Sequence, residues 1–107
     1  MKKITLLALA SVTILLIAVA CGDDSGEQVV VGRVVDAIAR NIVEIESLTM
    51  RDADSQIWEF TTNGPVGISM GHLRQHQALG AKIEVTYRKI GGQFIASDVR
   101  DAVEPGG

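Results

Sequence analysis

The chain has 107 residues, with 10 Lys and Arg against 13 Asp and Glu, a formal net charge of −3, and 47% hydrophobic residues. A single cysteine excludes an intrachain disulfide. The acidic balance excludes the basic footprint that nucleic-acid backbones require, and the length leaves room for one small core.

The chain opens with Lys2 and Lys3, followed by an apolar run over residues 4–20 and the small residues Ala18-Val19-Ala20 directly before Cys21. A positive n-region, an apolar h-region and a small-residue cleavage site are the layout of a secretory signal. The segment resembles the lipobox of bacterial lipoproteins, although Ala18 stands where that family usually has Leu, Val or Ile. The resemblance implies that the Cys21 thiol is joined to a diacylglycerol and that the peptide is cut just before it. Two other readings stay open: an uncleaved anchor, since the run is at the short edge of the roughly 17–25 residues that cross a bilayer, and an ordinary signal with a free Cys21 thiol. Residues 21–27 pass at once into a polar, acidic tether with no reason to fold.

Cleavage before Cys21 removes Lys2 and Lys3 and no acid, which leaves 8 basic and 13 acidic residues in 87 and a net charge of −5. Such a domain is expected to be repelled by anionic lipid, so membrane attachment rests on acylation. Two or more acyl chains anchor stably where one holds only marginally.

From residue 28 onward short alternating segments are separated by turn residues, which predicts a mainly β domain over residues 28–101. The first strand runs from Gln28 to Ala39, with Val30, Val34 and Ile38 on its inner side and Gly32 marking a bulge or bend. The second runs from Ile42 to Arg51. A bulge near Glu46-Ser47 would bring Val43, Ile45, Leu48 and Met50 to one side. The turn Asp52 to Ser55 leads into a third strand, Gln56 to Thr62, in which Trp58 and Phe60 alternate with polar residues. Ser69 then caps a short helix over Met70 to Leu79 that stops at Gly80, with a buried stripe of Met70, Leu73 and the stem of Gln77. Ala81 to Lys89 is a clean strand with Ile83, Val85 and Tyr87 inward. Gly91-Gly92 turns the chain into a fifth strand, Gln93 to Arg100, and residues 102–107 form a frayed tail.

This order of three strands, a helix and two strands resembles the oligonucleotide/oligosaccharide-binding (OB) fold, a small five-stranded barrel. With the lipobox, the whole is similar to small bacterial lipoproteins that carry an OB-like exported domain. That resemblance implies location and architecture and names no activity.

His72 and His76 are the only histidines, and an i, i+4 spacing on a helix sets both imidazoles on one face where they can share a metal. Two ligands make at best a loose site, since a zinc site usually has three or four, and a third from Asp or Glu on a nearby loop stays open. The zinc-protease pattern is absent. The four aromatics Trp58, Phe60, Tyr87 and Phe94 alternate with polar residues and are expected in the core, not as a stacking platform for bases. Gly64-Pro65-Val66-Gly67 lacks the lysine and spacing of a phosphate loop. Asp52 and Asp54 lack the later ligands of a calcium loop.

The expected protein is therefore a non-enzymatic, lipid-anchored module on the extracytoplasmic side of a cell-envelope membrane, with no cofactor and no nucleic acid. Its expected partner is another envelope protein, a peptide or a glycan. The alternative is a weak transition-metal-binding lipoprotein that uses His72 and His76.

Overall fold

The computed structural model describes residues 26–103. The signal segment, Cys21 and most of the tether lie outside them, as does the tail beyond Val103. Five strands and one helix follow in the order β1 (Gln28–Ala39), β2 (Ile45–Asp52), β3 (Ile57–Thr62), α1 (Met70–Leu79), β4 (Lys82–Ile90) and β5 (Gln93–Asp101). The strands close into a barrel in the order β1-β2-β3-β5-β4. All pairings are antiparallel except β3 with β5, a parallel contact of Phe60, Thr61 and Thr62 with Phe94, Ile95 and Ala96. The mainly β, five-stranded barrel with one short helix between the third and fourth strands is thus the fold expected from the sequence.

Gly32 lets β1 serve two neighbours. It stands opposite Asp52 on β2 and Ile83 on β4, and a Cβ there would lie 2.4 Å from the Arg51 carbonyl oxygen. Only a residue without a side chain permits that approach. Further along β1, Val34 faces Met50 and Asp36 faces Thr49, so Val35 is an extra residue. This bulge shifts the inward phase, and Val34 and Ala37 are buried while Ile38 is 54% exposed. The expected inward Ile38 is thereby corrected, because a one-residue insertion sends the following side chains to the opposite face.

On β2 the expected bulge is present. Ile38 faces Ser47 and Ala39 faces Ile45, leaving Glu46 unpaired, and Ile45, Leu48 and Met50 are all buried. Val43 does not join them, because β2 starts at Ile45 and Val43 lies in the preceding loop, exposed. A third bulge on β5 leaves Ser97 between Ala96, opposite Tyr87, and Asp98, opposite Thr86.

Phe60, Leu73, Ile83, Val85 and Met50 are fully buried at the barrel centre. Trp58 and Phe94 are half-buried and pack against this core, in ring contact with Phe60 and Tyr87. Helix α1 packs on β1 and buries Leu73 and His76. Gln77 is exposed, and its amide donates to the Val35 carbonyl. The helical stripe falls on His76 and not on the Gln77 stem, since i and i+3 share a face.

Candidate metal centre

Both ends of α1 are fixed by local chemistry. Ser69 is the N-cap, its hydroxyl accepting from the His72 N–H, and Gly80 closes the helix in the left-handed conformation with its N–H donating to the His76 carbonyl. Between these caps His72 and His76 lie one turn apart with ring centroids 5.0 Å apart. Each places its Nε2 2.7 Å from the same atom, Oδ1 of Asp101. The three donor atoms lie within 4.8 Å of one another.

Asp101 comes from the last residue of β5, opposite Ile83. The strand expected from the sequence ends at Arg100, one residue short of this carboxylate. The Gly91-Gly92 turn was enough to set the hairpin register as far as Tyr87 opposite Ala96. Beyond that point the Ser97 bulge decides the outcome. Without the extra residue, Arg100 would stand opposite Ile83 and a cation would face the two imidazoles. No sequence pattern marks that bulge, although Ser97 donates its hydroxyl to the Thr86 carbonyl once it is formed.

His76 is constrained more tightly than His72. Its side chain is 9% exposed, against 44% for His72 and 60% for Asp101. Its Nδ1 lies 3.0 Å from the Ala81 carbonyl oxygen. That oxygen can only accept, so Nδ1 carries a hydrogen. In a neutral ring Nε2 then presents a lone pair to a carboxylate oxygen 2.7 Å away, which also presents a lone pair. The opposite tautomer moves the same conflict to Ala81. With Nδ1–H given to Ala81, Nε2 has a lone pair to offer a metal ion. Metal-ligating histidines characteristically donate their other N–H to a carbonyl or carboxylate, and His76 is already so held.

The carboxyl of Asp101 is held below its usual range, first by the hydrogen bond from His72 and then by that from His76. An ionised oxygen therefore stands between two imidazole nitrogens, and the trio supplies the N, N, O donor set that borderline divalent metals take. Metal–ligand bonds of about 2.0–2.1 Å in a tetrahedral arrangement separate donors by about 3.3 Å. The 2.7 Å contacts must open by about 0.6 Å and the donors that stand up to 4.8 Å apart must close toward that spacing, movements open to the exposed Asp101 and His72. A cavity of about 420 Å³ lined by Gly67, Ser69, His72 and Asp101 leaves room for further ligands.

A larger concavity lies elsewhere. About 780 Å³ opens over β2 and β3 between Ile38, Ile57, Thr49 and Phe94, and Glu59 is the single titratable side chain lining it. Its other polar lining is Ser47, Thr49, Thr61 and Gln93. Asp52 and Asp54 form a turn and not a calcium loop: Asp52 accepts from the N–H groups of Asp54 and Gln56 and from the Trp58 indole. Comparison with known protein families, with characterised proteins and with solved structures returns no match for this chain.

Proposed function

We propose that this protein is a lipid-anchored, extracytoplasmic binding module of the bacterial cell envelope, built on an OB-type barrel, whose ligand is a divalent transition metal. His72, His76 and Asp101 are its ligands. It acts by binding and not by catalysis. The single observation that carries the metal reading is the convergence of two imidazole Nε2 atoms on one carboxylate oxygen, with the buried His76 oriented by the Ala81 carbonyl. The three donors come from a capped helix and a strand end, so little ordering is needed on binding. The anchor rests on Cys21 and the apolar run before it. The groove over β2 and β3 is the surface for a peptide, glycan or envelope protein.

Thermal unfolding of the full chain in non-ionic detergent, with and without Zn²⁺, Cu²⁺ or Ni²⁺, tests the metal reading. A ligand at 100 times its Kd stabilises by about 2.7 kcal/mol, a rise of roughly 10–20 °C in Tm for a domain of this size. The rise should vanish in Asp101→Asn and in His76→Ala. Equal rises in these variants and the wild type would remove the metal from the function. Separately, Cys21→Ala should abolish membrane retention in fractionated cells, and unchanged retention would remove the anchor.

A further inference from the structure

The overall acidity hides a local reversal of sign. Arg33 on β1 stands directly opposite Arg51 on β2 and directly opposite Lys82 on β4. Residues directly opposite in an antiparallel pair project to the same face about 5 Å apart. The neighbours Gly32, Val34 and Ile83 point inward, so the row of three cations lies on the outside of the barrel. Like charges directly opposite one another destabilise a sheet, and here the conflict occurs twice in succession.

The nearby acids do not relieve it. Among the described residues, no carboxylate forms an ion pair with Arg33, Arg51 or Lys82. Asp52 borders the row, but one of its oxygens accepts from two backbone N–H groups and the other from the Trp58 indole. Asp36 is 3.8 Å from Arg74. Glu84, one row along on β4, stands opposite Arg100, and Asp54 is exposed at the adjoining turn.

Arg33 is also held in place. Its Nε donates to the Gly80 carbonyl at 3.0 Å, which ties the guanidinium to the end of α1 and leaves its two terminal nitrogens for another acceptor. The three cations border a concavity of about 190 Å³ whose floor is Val31 and Gly32.

We propose that Arg33, Arg51 and Lys82 form a binding site for a phosphate-bearing anion. Guanidinium groups offer paired N–H donors that match phosphate oxygens, and Lys adds a point charge. The site is independent of the metal centre, which uses none of these side chains. Its ligand is a free phosphate compound or the headgroup of an anionic phospholipid. Six residues, 22–27, separate Cys21 from β1, a span of roughly 20–25 Å when fully extended, so an acylated Cys21 would keep the row within reach of headgroups.

Trp58, the only tryptophan, bonds to Asp52 beside the row and reports on it. The test follows Trp58 emission and binding heat of the full chain in dodecyl maltoside micelles, in metal-free buffer. Inorganic pyrophosphate is titrated in one arm. In the other, phosphatidylglycerol is doped into the micelles, with phosphatidylcholine as the control. Saturable binding of pyrophosphate assigns the site to free phosphates, and a response to phosphatidylglycerol but not phosphatidylcholine assigns it to headgroups. Either response should weaken at least tenfold in the double variant Arg51→Gln, Lys82→Gln, whose substitutions spare the Arg33 contact with α1, and should persist in His72→Ala. No saturable response in either arm, equal binding by the double variant, or loss in His72→Ala would overturn the proposal.

Discussion

The metal centre and the cationic row lie near the same end of the barrel and are assembled by opposite means. His72, His76 and Asp101 come from a helix and a strand end that meet only in the folded chain, and both imidazoles contact the one carboxylate oxygen. Arg33, Arg51 and Lys82 come from three adjacent strands in strict register, and their charges repel. The first arrangement stabilises the join between α1 and β5 even without a ligand. The second costs stability until a counter-ion arrives. Sites of the first kind depend on how a helix docks, and sites of the second kind depend chiefly on strand register, with the Arg33 contact to the Gly80 carbonyl as the tie to α1. The same two dependencies give mutations that separate them.

The largest effect is expected from Leu73→Ala. Leu73 is fully buried between the two histidines in sequence and anchors α1 to the core. Its truncation should cost about 3 kcal/mol in denaturant unfolding, within the usual range for a buried Leu. The loosened helix should weaken metal binding strongly and the row's anion binding only slightly, through the Arg33 contact with Gly80. Equal loss at both sites would mean that the two are one cooperative unit. Gly32→Ala makes the converse cut. A methyl group 2.4 Å from the Arg51 carbonyl forces β1 and β2 apart, at a cost of about 2 kcal/mol. Because Arg33 and Arg51 face each other across this seam, anion binding should fall while the metal-induced rise in Tm survives.

Much of the fold was legible in the sequence because its signals were local. Ser69 and Gly80 bound α1 where a cap and a left-handed stop were expected, and Ile83, Val85 and Tyr87 are buried in strict alternation. The bulges were less so. Glu46 could be placed, since two hydrophobic phases had to be reconciled, but Val35 and Ser97 left no comparable mark, and they decide that Ile38 turns outward and that Asp101 turns toward the histidines. Two of the three residues of the candidate metal centre were therefore visible as an i, i+4 pair, and the carboxylate was not. The cationic row was hidden for a related reason. Arg33, Arg51 and Lys82 are far apart in sequence, and net charge averages over a register that only pairing reveals.

The smallest effect, and the one that bears most directly on the repulsion within the row, is expected at Asp52. Its carboxyl is held below 3.8 chiefly by the Trp58 indole and then by the Gln56 N–H. A carboxyl depressed in the folded state contributes stability above its unfolded value that is lost as pH falls through the folded one. Denaturant midpoints of the wild type should therefore drop below about pH 4, and the drop should be shallower in Asp52→Asn, where no ionised group remains to be protonated. The same substitution removes the one negative charge lining the row's concavity. At neutral pH and low salt it should tighten pyrophosphate binding by about two- to threefold, the size expected of one partly screened surface charge. The metal centre should not respond, since Asp52 touches none of its ligands. Tighter anion binding with an unchanged metal response would show that the row is governed by its own local charges. Weaker anion binding would mean that Asp52 shapes the hairpin tip more than it repels the ligand.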